Sequence, residues 1–167
     1  MNKVLFVTRN VTDYAATDLE GVGTLRWEGG KLYRWIQNAE SANAWTVGGA
    51  VGHVLTNATT FLTTGIVPAT ANLSVAAGLA VSAVPATYYG WVLVLGAYTT
   101  CLAVNTTDVA IVIGDNLKMV NAVTYFARDT AYTAAATYRK HFRALSGVTT
   151  HTTPTTNNAV VAYVDCV

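Results

Sequence analysis

Thr24-Leu25-Arg26-Trp27-Glu28 and Lys31-Leu32-Tyr33-Arg34-Trp35-Ile36 lie on either side of Gly29-Gly30. A Gly-Gly pair between two strand-like runs predicts a β-hairpin, because both residues of such a turn need the positive φ angles that glycine adopts freely. A two-residue turn also fixes the register, placing Glu28 opposite Lys31 and Trp27 opposite Leu32. We expect an ion pair at the first position and a largely buried Trp27 at the second.

The pattern of short apolar runs separated by turn residues continues along the rest of the chain. Thr and Val, which are restricted at the first side-chain torsion and favour strands, dominate it. Further strands are predicted at residues 45–55, 74–84, 88–95, 99–105, 109–113, 118–126 and 159–164. The sequence therefore predicts a mainly-β fold: an N-terminal arm of residues 1–22, followed by one antiparallel β-sandwich or barrel of residues 23–167.

One segment departs from the strand pattern. Tyr138, Phe142 and Leu145 recur at helical spacing, and Gly147 is placed to end a helix. We therefore predict a short helix over residues 130–146. An extended basic arm is the alternative interpretation of the same segment.

The distribution of charge is unusual. Only 11% of the 167 residues are charged, and none of the residues from Ser41 to Thr107 is Asp, Glu, Lys or Arg. An ordinary globular protein has about 25% charged residues. This composition favours a self-associating structural protein, with a monomer that has a Thr- and Asn-rich surface as the alternative. The net charge of +1 argues against a nucleic-acid partner.

Neither a membrane span nor a disulfide framework is predicted. Residues 78–97 are free of charge and long enough to cross a bilayer, but Ser82, Pro85 and Thr87 favour strands there. The N-terminal apolar run is broken by charged residues and has no cleavage signature, so we interpret it as mature structure. The chain has two cysteines, Cys101 and Cys166, whose pairing the sequence leaves open.

The sequence motifs predict no catalytic, cofactor or metal site. The three histidines and two cysteines lack metal-ligand spacing, and no serine or cysteine lies in a nucleophile motif. Three other features are candidates for interfaces: an apolar N-terminal run, an aromatic cluster before Gly90-Trp91, and a basic cluster. The aromatic cluster is read as core packing, or else as a subunit interface or sugar-stacking platform, with Trp91 buried on a central strand. The candidate interface residues are Val4, Leu5, Phe6, Val7, Tyr88, Tyr89, Arg139, Lys140 and Arg143.

Two stretches resemble a known family. Residues 23–35 look like a hairpin of the small head proteins of tailed bacteriophages, and Tyr88-Tyr89-Gly90-Trp91-Val92-Leu93-Val94-Leu95-Gly96 is similar to an aromatic-Gly-Trp-Val strand of the same proteins. Residues 76–84 resemble the strand that precedes this motif. The resemblance covers roughly residues 21–120.

The family consists of capsid decoration, or cement, proteins. The resemblance implies a β-rich subunit that forms homotrimers or clusters on the outer surface of the capsid and reinforces contacts between major capsid proteins. It also implies assembly in the host cytoplasm, where two unpaired cysteines are expected. A carbohydrate-binding or adhesin-type β module of a head fibre is the alternative function, and an enzyme is not expected.

Overall fold

The computed structural model describes residues 9–54, 63–68, 75–103, 110–122, 124–129, 142–147 and 158–166. These residues form eleven strands and, within the described part, no helix. The mainly-β prediction is confirmed. The strands are β1 (Tyr14–Ala15), β2 (Leu25–Glu28), β3 (Lys31–Asn38), β4 (Ala50–His53), β5 (Thr64–Ile66), β6 (Ala76–Ala80), β7 (Tyr89–Ala103), β8 (Asn116–Met119), β9 (Phe126–Arg128), β10 (Phe142–Ala144) and β11 (Asn158–Asp165).

The predicted hairpin is present in the predicted register. Glu28 pairs with Lys31 and Trp27 with Leu32, across a turn in which Gly29 and Gly30 have φ angles of 57° and 75°. The Glu28 carboxylate forms its ion pair with Arg26 on the same strand. The ammonium group of Lys31 lies over the ring of Tyr98 instead, 5.9 Å from its centroid.

Strand β7 is the centre of the sheet. Its 15 residues span the predicted strands 88–95 and 99–105, which are therefore one element. The first half of β7 pairs with β3 up to Leu95, and β11 pairs with β7 from Leu95 to Ala103. Gly96 lies at this change of partner with a φ of 123°, and a Cβ there would come within 3.0 Å of the Lys31 side chain. Glycine at this position therefore allows one continuous strand to pair with β3 along its first half and with β11 along its second half.

The strand pairings close into two circuits that share β7. In the first circuit, β7 pairs with β6, β6 with β4, β4 with β5, β5 with β3, and β3 with β7. In the second, β7 pairs with β9, β9 with β8, β8 with β10, β10 with β11, and β11 with β7. The β3–β5 and β7–β9 pairs are parallel, and the other pairings among the described strands are antiparallel. Closure of this kind leaves few open sheet edges.

Each circuit has an aromatic pair in its core. Trp35 and Trp91 are fully buried in the first, and Phe126 packs against Phe142 at a centroid distance of 4.3 Å in the second. Trp91 is therefore buried on a central strand, as the sequence predicts. Asn38 is also fully buried, and its amide donates hydrogen bonds to the carbonyls of Val84 and Pro85.

Three predicted elements differ from the structure. Residues 142–144 of the predicted helix form strand β10, because Phe142 and Ala144 are buried at a spacing of two while Arg143 points outward; residues 130–141 lie outside the described residues. The predicted strand 118–126 is two strands, β8 and β9, separated by a turn. In the predicted strand 109–113, the described residues contribute only an isolated bridge at Ile111.

Residues 9–22 of the predicted N-terminal arm lie against the sheet. Strand β1 pairs with the start of β7, and the buried Glu20 accepts a hydrogen bond from the backbone N–H of Arg9. Asp18 accepts a hydrogen bond of 2.9 Å from the indole of Trp35. Residues 1–8, which include Val4, Leu5, Phe6 and Val7, lie outside the described residues.

Candidate functional site

The structure describes three of the predicted interface residues, and it places them in different circuits. Tyr88 precedes β7 and Tyr89 begins it, next to β1 and next to β3, which belongs to the first circuit. Arg143 lies at the centre of β10 in the second circuit. Arg139 and Lys140 lie outside the described residues. The described candidates are therefore not brought together into one site.

The aromatic cluster is mostly part of the core. Trp91 is fully buried, and Tyr88 and Tyr89 are half-buried and pack against the core. Tyr14 adds a ring that sequence reasoning missed: it meets Tyr88 edge to face at 6.1 Å, with an angle of 67° between the planes. A flat sugar face stacks on one exposed ring or on several coplanar rings. This tilted pair, in which Tyr14 is exposed and Tyr88 is half-buried, does not provide coplanar rings.

The largest exposed aromatic side chain of the hairpin is Trp27, which is 65% exposed. The prediction that Trp27 is buried is wrong, although its register is right. Strand β2 is the last strand of the sheet, so Trp27 has a neighbouring strand on one side only, the side of Leu32. Leu25, two residues earlier on the same face, is 50% exposed. We call β2 with its exposed Leu25 and Trp27 the hairpin edge.

The opposite face of β2 carries two charged side chains, Arg26 and Glu28, which form an ion pair. The guanidinium of Arg26 pairs with Glu28, donates to the backbone carbonyl of Arg9, and lies 5.9 Å from the ring centroid of Trp91. A cation over an indole and an ion pair on one side chain restrict its rotamers. The hairpin edge therefore presents a fixed arrangement of one positive and one negative group.

Arg34 is a charged side chain that is buried in the sheet. It lies on β3 directly opposite Leu25, and it is only 8% exposed. Within the described residues, its guanidinium has no hydrogen-bond or ion-pair partner. Burial lowers the pKa of Arg34, and the nearby Cys166 partly offsets this shift. A cation that is partly removed from water without a counter-ion loses some of its hydration, and this loss lowers stability.

A second exposed surface surrounds Arg143. On the face of β10 and β11 that Arg143 occupies, its cross-strand neighbour Tyr163 is 42% exposed. Leu145 follows β10 and is 42% exposed, and Ile113, next to the turn that touches Arg143, is 73% exposed. We call Ile113, Arg143, Leu145 and Tyr163 the β10 surface. It combines a positive charge with apolar side chains, which is a composition common in protein interfaces.

The two cysteines are free and buried at separate places on the sheet. Burial raises the pKa of Cys101 from 9.0 to about 12, and burial also raises the pKa of Cys166, with a further contribution from Asp165. Both thiols are therefore protonated near neutral pH, a form that is a poor nucleophile and a poor metal ligand. Within the described ranges, no cluster of three or more His, Cys, Asp or Glu side chains is arranged to hold a metal ion.

The described residues also contain no helix long and apolar enough to cross a membrane. Comparisons of the chain with protein-family models, with curated proteins and with solved structures found no match.

Proposed function

We propose that this chain is a structural virion protein, a decoration or cement subunit that binds the outer surface of a phage head. The observation that carries the proposal is the placement of the three stretches that resemble the family. Residues 39–75 separate the hairpin β2–β3 from β6 and β7 in the sequence, but β3 pairs with β7 and β7 pairs with β6 in the sheet. The stretches that carry the resemblance thus belong to one contiguous structural unit.

The proposed mechanism is stabilisation by binding. A subunit that binds only the assembled shell shifts the equilibrium toward that shell, in proportion to its affinity and concentration. Such a subunit needs a rigid sheet and exposed apolar surface, and the charge-poor composition and the two exposed surfaces support this role. The proposed partners are further copies of itself, as a homotrimer in the family it resembles, and the major capsid protein. No catalytic activity is part of the proposal.

The β10 surface is the proposed point of attachment. Arg143 is exposed at the centre of this surface, and the sequence places Arg139 and Lys140 a few residues before it. Positive charge beside apolar side chains suits an acidic shell surface, where the charges steer docking and the apolar groups contribute affinity. The N-terminal run of residues 4–7 is a second candidate for attachment, as a strand added to a neighbouring sheet edge.

Co-sedimentation with purified heads that lack the protein tests this function. We expect wild-type protein to pellet with the heads and to raise their melting temperature. Changing Arg139, Lys140 and Arg143 to Ser should weaken binding, most strongly at low salt, where charge pairs are least screened. Lys31→Gln, which removes one positive charge from the hairpin, is the control and should bind as wild type does. Absence of co-sedimentation by the folded wild-type protein would contradict the proposed function.

A carbohydrate-binding module of a head fibre is the second candidate. Trp27 supports it, because an indole that is 65% exposed can stack on a sugar ring. The tilted Tyr14–Tyr88 pair and the buried Trp91 do not support it. A glycan array distinguishes the two functions: binding to a glycan that is lost in Trp27→Ala would favour the module.

A further inference from the structure

The outer edge of β2 carries backbone groups that point away from the sheet. Two hydrogen bonds at the base of the hairpin, from Gly23 N–H to the carbonyl of Trp35 and from Trp35 N–H to the carbonyl of Thr24, show that Trp35 faces β2. The direction of the backbone N–H and C=O groups alternates from one residue to the next along a strand, so those of Arg26 and Glu28 point toward β3. The N–H and C=O groups of Leu25 and Trp27 therefore point outward. No strand pairs with this edge in the described part of the chain.

An unpaired edge of this kind is a template for another strand. Two features make this edge suitable for a second copy of itself. Its outward backbone groups belong to two residues with large apolar side chains, Leu25 and Trp27. Its opposite face carries one positive and one negative side chain, Arg26 and Glu28, which flank Trp27 in the sequence. The strand is therefore self-complementary in charge when it is reversed about Trp27.

Charge favours one register among those that the backbone allows, because the register centred on Leu25 places Arg26 opposite Thr24 and forms no ion pair. In an antiparallel pair related by a two-fold axis, residues with outward-pointing backbone groups must lie opposite each other. The axis therefore lies midway between the two copies of one residue of β2, and we describe that residue as being on the axis. With Trp27 on the axis, Arg26 of each copy lies opposite Glu28 of the other. With Arg26 on the axis, two guanidinium groups lie opposite each other, and with Glu28 on the axis, two carboxylates do so. Like charges in directly opposite positions destabilise a strand pair.

We propose that β2 pairs antiparallel with β2 of a second copy, with Trp27 opposite Trp27 of that copy. The N–H and C=O groups of the two Trp27 residues exchange two hydrogen bonds. Arg26 and Glu28 then occupy the more closely spaced, non-hydrogen-bonded positions, where ion pairs are most favourable. The indole rings cover each other on the opposite face.

This contact is isologous, so it closes with two copies. It predicts a dimer in free solution where the family resemblance implies a trimer. The contact uses only the hairpin edge, and it leaves the β10 surface open. It therefore does not depend on capsid binding, and it is tested in the absence of heads.

Cysteine cross-linking tests the register without disturbing the fold, because both test positions are exposed. In the proposed register, Trp27→Cys places two thiols opposite each other at the Cα separation of about 5.5 Å that a disulfide accepts. Leu25→Cys is the matched control. It lies opposite Gly29 of the other copy, and its thiols are too far apart to bond. On mild oxidation of the full-length protein, we expect a covalent dimer from Trp27→Cys and none from Leu25→Cys. Cross-linking of Leu25→Cys instead, or of neither variant, would overturn the proposal.

Charge exchange tests the ion pairs. Arg26→Glu and Glu28→Arg, each checked for folding by circular dichroism, should each sediment as monomers, because each places like charges opposite each other. A mixture of the two variants should form the dimer again. The double variant Arg26→Glu/Glu28→Arg should also form it, because the two charges exchange places and opposite charges again face each other. If the single variants do not fold, Trp27→Pro serves as a second test, because it removes one outward N–H from an edge strand. Retention of the wild-type dimer by Trp27→Pro, or a monomeric or trimeric wild type across the micromolar range, would overturn the proposal.

Discussion

The indole rings of Trp35 and Trp91 meet edge to face across the β3–β7 pair, with their centroids 5.2 Å apart and their planes at 61°. The two residues are direct partners in the register of this pair, and both are fully buried. Trp35 belongs to the hairpin strand β3, and Trp91 belongs to β7. The contact therefore connects the hairpin to the central strand at the core of the first circuit.

Replacing either indole should destabilise the fold. Trp35→Ala or Trp91→Ala removes a large buried side chain, and should lower the free energy of unfolding by about 3–5 kcal/mol. Trp27→Ala is the control, because Trp27 is 65% exposed and should change stability by less than about 1 kcal/mol in the monomer. Urea denaturation followed by circular dichroism measures both. An equal loss in all three variants would contradict the assignment of Trp27 to the surface.

The hairpin shows what local sequence can and cannot determine. Gly29-Gly30 fixes the turn type, and the turn fixes the Glu28–Lys31 and Trp27–Leu32 pairs, so these were predictable. The exposure of Trp27 was not, because it depends on whether another strand lies beyond β2. That is a property of the whole sheet. A local apolar pattern does not distinguish an edge strand from a central one.

The same limit explains β7 and β10. An apolar run with an internal glycine predicts two strands with a turn between them, but Gly96 lies within one strand because β3 and β11 continue the pairing on either side of it. Phe142 and Leu145 are spaced three apart, which suits a helix, yet pairing with β8 and β11 places Phe142 in a strand. The unpaired Arg34 had no local signal either, since its burial results from the packing of the first circuit.

Replacing the side-chain amide of Asn38 with a carboxylate should destabilise the protein. Its side-chain amide donates to the carbonyls of Asn43, Val84 and Pro85, and its oxygen accepts from Glu40 N–H. Asn38→Asp places a carboxylate against three carbonyl oxygens, and should cost about 3 kcal/mol or more at neutral pH.

Gln37→Glu is the matched control for this change. Gln37 makes the same kind of bond, 3.1 Å long, to the carbonyl of Thr87, but at an exposed site. Water can hydrate a carboxylate there, so the loss of stability should stay below about 1 kcal/mol. Urea midpoints for the two variants give the comparison, and equal midpoints would show that the Asn38 network is unimportant for stability.

Stability should fall at alkaline pH because of the buried thiols. Burial raises the pKa of Cys101 from the ordinary thiol value of 9.0 to about 12, so between these pH values the unfolded chain loses a proton that the folded chain retains. The stabilisation is complete below about pH 9 and is lost as pH rises, by at most about 1.4 kcal/mol per pH unit for each thiol. The raised pKa of Cys166 acts in the same direction.

Cys101→Ala tests this pH dependence. The variant loses some packing and is less stable at all pH values, but its free energy of unfolding should fall less steeply than that of wild type between about pH 8 and about pH 10.5. Denaturation under reducing conditions at several pH values measures the slope. Identical slopes for the two proteins would rule out Cys101 as a source of the alkaline effect.

Arg34→Met should stabilise the protein. Methionine fills a similar volume without a charge to desolvate, so we expect a gain of about 1–2 kcal/mol in the free energy of unfolding. Arg143→Met, at an exposed position on β10, is the control and should stay within about 0.5 kcal/mol of wild type. A loss of stability in Arg34→Met would show that the guanidinium has a stabilising partner in the folded protein.

Two N-terminal deletions separate attachment from folding. Removing residues 1–8 keeps the bonds of Arg9 to Glu20 and Arg26, as well as the β1–β7 pair, so the protein should remain folded with a near-normal melting temperature. Removing residues 1–15 also eliminates these contacts and the Tyr14–Tyr88 ring pair, and should lower the melting temperature by several degrees or more. If residues 4–7 add to the sheet of a neighbouring protein, the shorter deletion should bind heads poorly although it is folded. Normal head binding by that folded variant would exclude the N-terminal run and leave the β10 surface as the point of attachment.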